Sequence, residues 1–493
     1  MVAVLRNWAA RGGRRWVWVG AVVLLGLAGA LAALRAQASS TAGAVFLRKI
    51  DSAILNDQTA SMSVGVDSAG GMHAGFVNFS TDNSGNYHAY YDYCAPGANC
   101  ANAANWSLVN LLTISSTTET MEDAQLQVNA QGHPRMVIVY EDNDDPFLDH
   151  YNYAACDTGC TSLGNWTVVD VAQATLGANT FIQEGNKHFF ALDPQGKPRF
   201  IIDNGSNYVY VFCNTGCTTA GNWSQLQLNA ASGSEMGFNT AALAFNSTGH
   251  PRVLVSVTDD SFHVNLYYLE CNASDCATNA NSWSGGPIIS PISGEQAVYS
   301  SLRLTQAGQP RFAYYGTFAG TGETLFYMVC NTGCTTAANW THRSVGLVPA
   351  HDFDTSGKSP DLALDGADHP RLSFQTLEDS LGHGLGYAWC DANCEAAGAT
   401  WGKAVVDTND QMNADWNRTT AGCDINTWIG GYRSSLVLDA AGNPRIGHDA
   451  QHYTSLCTVP ILNDVDYRSV RFVFLPKDAL PSEHKVFVPL VLR

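Results

Sequence analysis

Six times along this chain a short cysteine pair is followed by a tryptophan: Cys94/Cys100 with Trp106, Cys156/Cys160 with Trp166, Cys213/Cys217 with Trp223, Cys271/Cys276 with Trp283, Cys330/Cys334 with Trp340, and Cys390/Cys394 with Trp401. Successive tryptophans stand 60, 57, 60, 57 and 61 residues apart. A period of this length is the mark of one supersecondary unit repeated, each copy too small to bury its own apolar face. The 493 residues therefore read as one closed or stacked array and not as two or three unrelated domains. Only 14% of residues are charged while Gly, Asn, Ser and Thr abound, which suits short strands joined by tight turns.

A second motif lies between the cysteine clusters. Asp193-Pro194-Gln195-Gly196-Lys197-Pro198-Arg199 has counterparts ending at Arg135, Arg252, Arg311, Arg371 and Arg445, with a degenerate copy at Gly71-Met72-His73. An apolar run precedes each and another follows, as in Ala241–Phe245 and Val253–Val257, the pattern of a β-hairpin. A third run rich in aromatics leads into the cysteine pair, and a fourth begins at the tryptophan. Four antiparallel strands per unit predict an all-β, seven-bladed β-propeller, because there are seven hairpin motifs. Cysteine pairs number six, since the seventh unit, starting near Ser434, departs from the pattern at Cys457. Ala44–Ile50, ahead of the first hairpin, is then expected to supply the outer strand of the last blade and close the ring. A solenoid of stacked hairpins is the alternative.

The first 38 residues read as an export signal: Arg6, Arg11, Arg14 and Arg15, an apolar run from Trp16 to Leu34, and Ala36-Gln37-Ala38 as cleavage site. The same run is just long enough to serve as an uncleaved anchor. This sets the domains as 1–38 signal, 39–475 propeller and 476–493 tail, and places the chain outside the cell or on its surface, with membrane contact only through an uncleaved N-terminus or surface attachment. Outside the cell, fourteen cysteines in short pairs are expected as disulfides, each closing a small loop. Zinc would need four ligands in one place, and each unit offers one pair. Cys423 and Cys457 remain and are paired with each other. Loss of residues 1–38 removes five arginines and no acid, taking the net charge from −18 to −23. Such a surface repels nucleic acid and accepts cations, neutral glycans or proteins.

With its Asp-x-x-Gly-x-Pro-Arg hairpins, the chain resembles the secreted bacterial repeat propellers of the sialidase-like, BNR-repeat superfamily. Thr218-Thr219-Ala220-Gly221-Asn222-Trp223 echoes the family's Asp-box, Ser-x-Asp-x-Gly-x-Thr-Trp, without its aspartate and one residue short. The resemblance implies the architecture over roughly 44–475 and transfers no catalytic residue. Sialidase chemistry, as the resemblance would imply it, needs three arginines on a carboxylate, a Tyr/Glu nucleophile and an aspartate. The six Pro-Arg arginines recur at one turn in blade after blade, which makes them a structural ring bonded to carbonyls or acids.

The first-to-second and third-to-fourth turns share one face of the disc and are repetitive. Opposite them the loops vary, and variable loops on a constant frame are where binding is expected. Several are acidic: Asp82, Glu141 through Asp145, Asp203, Asp259, Asp260, Glu378, Asp379 and Asp449. These side chains suit solvated turns first; the sharper readings are a ligand site or the paired carboxyls of a glycosidase. Asp142, Asp144 and Asp145 are the candidate Ca2+ ligands, and no cofactor is required otherwise. Trp416, Trp428 and Tyr432, in the long connection from Asp407 to Arg433, are candidates to stack on a sugar ring or to cover a blade junction. His448 and His452 make an incomplete metal site. The expected function is a secreted or cell-surface, non-catalytic binding or scaffold module for protein or glycan; the alternatives are a sialidase-like glycoside hydrolase and a purely structural surface protein.

Overall fold

The computed structural model of the chain describes residues 43–477 except 50–57, 79, 118, 143–147, 176–187, 204–206, 233–240, 259–263, 290–296, 317–323, 347–359, 377–383, 421 and 458–463. Residues 1–38, where an export signal is expected, and all but the first two residues of the expected tail lie outside the described residues.

Seven four-stranded antiparallel sheets stand side by side as the blades of a propeller. Blade 1 consists of Thr59–Val66, Met72–Asn78, Asn86–Cys94 and Trp106–Ser115, hydrogen-bonded in that order from the channel outward. Blades 2 to 6 repeat the arrangement over 119–175, 190–232, 241–289, 297–344 and 361–408. Blade 7 takes Cys423–Leu438, Pro444–Cys457 and Asp464–Phe474 from the C-terminal region and its outer strand, Gly43–Phe46, from the N-terminal one. Gly43 pairs with Phe474 and Phe46 with Arg471, so the ring closes by the N-terminal strand.

Each unit is held by the residues that made the repeat visible. In the first hairpin turn of blade 3, Asp193 Oδ1 accepts hydrogen bonds from the backbone N–H of Gln195 (3.0 Å) and Lys197 (2.9 Å). Gly196 sits at φ +75°, which a side chain resists, so glycine is favoured there; blade 6 places Asp368 at the same position, at φ +62°. The following arginine reaches back across the blade: Arg311 Nη1 donates to the carbonyls of Pro310 (2.9 Å) and Cys330 (2.8 Å), and Nη2 donates to Asn331 Oδ1 (2.7 Å). Arg135, Arg199, Arg252 and Arg371 likewise donate to the carbonyl of the first cysteine of their disulfide. The Pro-Arg residues are thus structural ties between the two turns of one face, worth more than neutral hydrogen bonds because the donor is charged.

All seven expected disulfides are present. Six staple the turn after the third strand of blades 1 to 6: Cys94–Cys100, Cys156–Cys160, Cys213–Cys217, Cys271–Cys276, Cys330–Cys334 and Cys390–Cys394, with Cα atoms 5.7–5.8 Å apart. The seventh, Cys423–Cys457, ties two strands of blade 7. In blades 1 to 5 the tryptophan indole N–H donates to the carbonyl of the second cysteine of the pair, Cys100, Cys160, Cys217, Cys276 or Cys334, at 2.6–2.8 Å. Blade 6 departs from this: the indole nitrogen of Trp401 has no partner among the described residues, although Trp401 follows Cys394 at the same spacing as Trp283 follows Cys276.

The tryptophan ring packs on the third strand of the preceding blade: Trp166 on Tyr91 (4.8 Å), Trp223 on Tyr153 (5.1 Å), Trp283 on Tyr210 (5.5 Å), Trp340 on Tyr268 (5.4 Å), Trp401 on Tyr327 (5.7 Å). Trp106 closes the circle on Phe472 of blade 7 (5.2 Å). The cysteine pair fixes the turn, the turn aims the indole, and the indole joins blade to blade. Each such ring removes about 150–250 Å2 from water, a gross gain of about 4 kcal/mol or more.

Blade 7 differs from the sequence expectation. Its inner strand begins at Cys423 and not near Ser434, because it continues to pair with the second strand as far as the directly opposed Cys423 and Cys457. The connection from Asp407 is therefore no long loop: Asn409–Asp415 forms a short helix capped by Thr408, whose Oγ1 accepts from the N–H of Gln411.

Candidate functional site

Most variable-face loops fall outside the described residues, and with them Asp144, Asp145, Asp259, Asp260, Glu378 and Asp379. Asp142 is half-buried at the end of its strand, paired with Glu119 and Leu148, and Asp203 is half-buried opposite Tyr208. Among the described residues no group of three His, Cys, Asp or Glu side chains is arranged to hold a metal ion. The cysteines offer no chemistry either. Cys100, Cys160, Cys217, Cys276, Cys334 and Cys394 are each bonded to the cysteine that ends or follows the third strand of their own blade, and no free thiol is left as nucleophile or ligand among the described residues.

What the structure brings together is a polar cluster near the variable-face end of the inner strands of blades 1, 2 and 7. In blade 2 the inner strand Glu119–Val128 slips register between Met121 and Asp123, which leaves Glu122 as the extra residue of a bulge. Bulges of this kind re-aim a side chain. On the neighbouring strands Glu141 and Asp149 stand directly opposite each other, where like charges repel. Burial, together with the charges of Glu122 and Glu141, pushes Asp149 up to about 9 in spite of a hydrogen bond from Tyr151. Burial and the charges of Glu141 and Asp123 push Glu122 up to about 7, with Arg433 acting in the other direction. Near neutral pH, Asp149 keeps its proton and Glu122 is poised between its two forms.

Blade 7 supplies the opposite charge. Arg433 Nη1 donates to Ser61 Oγ (3.4 Å) and lies 3.7 Å from Asp449 Oδ2, which accepts the backbone N–H of Ser61 (3.0 Å). Arg433 and Ser61 have φ of +46° and +57°, left-handed values that non-glycine residues adopt at a cost of about 1–3 kcal/mol. Two strained residues thus face each other across the junction of blades 7 and 1. Arg433 is only 4% exposed, and Arg471 is fully buried against Asp407 and Asp415. These arginines are bonded to internal carboxylates and do not converge on an open carboxylate-binding pocket.

Gln125 is the most informative member of the cluster. It occupies the register position from which Ser63, Ser301, Asp361 and Ser435 each accept a backbone N–H of the next blade's inner strand. Gln125 makes no such bond: it is 1% exposed, and neither its amide oxygen nor its nitrogen has a partner among the described residues. Asp149 Oδ2 is in the same condition, also in a side chain 1% exposed.

The aromatic candidates require a correction. Trp428 is completely buried, its indole N–H donates to the carbonyl of Trp416 (2.8 Å), and Phe46, His452 and Tyr467 surround it. Trp416 is 7% exposed in the same cluster. Tyr432 is 4% exposed, its hydroxyl 3.2 Å from that of Tyr453. These rings are the core of the blade 7 extension and offer no face to a sugar. His448 and His452 are structural as well, bonded to Asp407 Oδ2 (3.0 Å) and the Arg418 carbonyl (3.1 Å).

No protein-family model matches the sequence, and no curated protein matches it. Among solved structures, the chain is similar to an intramolecular trans-sialidase from Ruminococcus gnavus, 11% identical over 89% of this chain and 98% of that one, with a TM-score of 0.46. It is similar to the NanB sialidase of Streptococcus pneumoniae, 11% identical over 89% and 71%, TM-score 0.45. A Penicillium chrysogenum α-L-arabinanase is 11% identical over 88% and 98%, TM-score 0.40. The neighbours are sialidase and arabinanase-type propellers, and at these identities and scores no residue role passes from them to this chain.

Proposed function

We propose that the protein is a secreted or cell-surface β-propeller that binds a glycan or protein without catalysing a reaction on it, at the cluster around Gln125 and Asp149. The observation that supports this is three buried polar atoms without a partner among the described residues: both atoms of the Gln125 amide and Oδ2 of Asp149. Each such atom costs about 1–3 kcal/mol, and because both side chains are 1% exposed, a ligand hydroxyl, which both donates and accepts, relieves that cost by entering the cluster in an opened conformation. The acidic balance of the chain favours a neutral or cationic ligand. Ca2+ held by Asp142, Asp144 and Asp145 belongs to the same reading, and chelation with EDTA tests it by loss of ligand affinity.

Glycan-array and titration-calorimetry measurements on wild type, Gln125→Leu and Asp149→Leu test the assignment. The apolar replacements are expected to raise stability by about 1 kcal/mol each while lowering affinity at least about tenfold. Equal affinity in the variants, or no ligand for the wild type among glycans and secreted proteins, sinks the reading. One observation favours glycoside hydrolysis instead: Glu122, poised near neutral beside other carboxyls, has the character of a general acid. Release of methylumbelliferone from aryl glycosides, lost in Glu122→Gln, would establish that reading in place of the first.

A further inference from the structure

At the other end of the inner strands, toward the hairpin turns, the channel holds a cavity of about 460 Å3 lined by all seven blades. At one register position, two residues before the turn, its wall carries Gly65, Ala191, Ala244, Ala363 and Val437, and Gln127 in blade 2. In blade 5 the same position is Arg303, the one permanently charged side chain in the lining among the described residues. Small residues around the ring leave the room, and one long cation breaks the repeat. The fold does not require an arginine there, since six blades are built without it.

Asp361 fixes that arginine. Its Oδ1 receives Ser301 Oγ (2.6 Å), His188 Nε2 (3.1 Å) and Arg303 Nη2 (3.2 Å), and its Oδ2 accepts the backbone N–H of Leu436 (2.6 Å). Burial opposes ionisation of Asp361, but the charges of His188 and Arg303 and the hydrogen bonds of His188 and Ser301 outweigh it and hold the carboxyl well below its usual range. His188 precedes blade 3 and Asp361 opens blade 6, so their contact crosses the channel between blades that are not neighbours.

Arg303 is not used up by these contacts. Nη1 donates to the Leu302 carbonyl (2.9 Å) and approaches His188 Nδ1 (3.5 Å), which leaves Nε–H and one Nη2 hydrogen without a partner among the described residues. Its side chain is 30% exposed, against 1% for Asp361. Two neighbouring guanidinium donors are the arrangement that takes a carboxylate bidentately. Leu304, Leu364 and Leu438 give the walls apolar surface.

We infer that this cavity is a second binding site, for a small organic carboxylate docked on Arg303, on the face opposite the proposed glycan or protein site. The carboxylate lies against the guanidinium, and its organic body fills the space above the small residues of the ring.

Calorimetric titration of the mature chain with acetate, benzoate and D-glucuronate, each against its neutral analogue acetamide, benzamide or D-glucose, tests the inference. At least one acid is expected to bind below about 1 mM, with its neutral analogue and the Arg303→Gln variant at least about tenfold weaker. Ala244→Phe fills cavity space while leaving both Arg303 and Asp361 in the chain and is expected to abolish binding, which keeps the test decisive if Arg303→Gln is unstable. Arg343→Gln, on an outer strand, should bind as wild type does. Acids that bind no better than their neutral analogues, or binding that survives Ala244→Phe, overturn the inference. Neither result depends on Gln125 or Asp149.

Discussion

Removing Asp407 should cost far more than removing Asp407 and Arg471 together. Asp407 is 2% exposed and accepts from Arg471 Nε (2.5 Å) and Nη2 (3.0 Å) and from His448 Nε2 (3.0 Å). Burial works against its ionisation, but Arg471 and His448 hold the carboxyl below its usual range. In Asp407→Ala the fully buried guanidinium keeps, among the described residues, only Asp415 as a charged partner, itself 29% exposed, and a buried charge stripped of its partner costs about 3–5 kcal/mol. In Asp407→Leu/Arg471→Met no unpaired charge remains, and the residual loss is the acceptor of His448, about 1–3 kcal/mol. Urea unfolding followed by tryptophan fluorescence, disulfides intact, reads both, because Trp416 and Trp428 pack on Phe46, over which Arg471 lies. Since the folded carboxyl is the stronger acid, this stabilisation is complete above the unfolded value near pH 4 and is lost as pH falls through the folded one. A double variant that loses the sum of the two single losses, or an Asp407→Ala loss below about 1 kcal/mol, refutes the argument.

The opposite sign applies to the variable-face cluster. Asp149 and Glu122 hold protons in the folded state that the unfolded chain releases near pH 4, so stability should fall between about pH 4.5 and 9, and Asp149→Asn should flatten that slope by up to about 1.4 kcal/mol per pH unit; urea midpoints at pH 5, 7 and 9 check this, and parallel curves for the two proteins would contradict it. Trp428→Ala should lower stability by about 3–5 kcal/mol through the cavity it leaves, while the folded fraction keeps its ligand affinity. A stable variant with lost affinity would restore Trp428 as a binding residue.

The repeat was legible because a turn is local chemistry. Asp193, Gly196 and Arg199 stand within seven residues of one another, and the spacing of Cys213, Cys217 and Trp223 is fixed by one tight turn, so sequence order carries their geometry. Ring closure was legible for the same reason, since a missing outer strand in unit seven left Ala44–Ile50 as the piece to fill it. The cluster around Gln125 was not. Glu122, Gln125, Asp149 and Arg433 come from three elements and carry no motif, and Glu122 owes its position to a one-residue register slip that alternation does not foretell. Acidity drew attention to Glu141 and Asp142, one strand away. Trp416 and Trp428 misled because aromatics in an apparent loop suggest a surface, whereas the extension of blade 7 gave them a core of their own.

The strand exchange that closes the ring sets how the molecule answers to pulling. Gly43 lies opposite Phe474, so the chain enters and leaves the propeller at the same end of one antiparallel pair. Tension between the two ends would not shear that pair but peel it, breaking its hydrogen bonds in turn from Gly43 to Phe46. The ring has one seam, and that seam opens like a zipper, while the seven disulfides lie within blades and never across it.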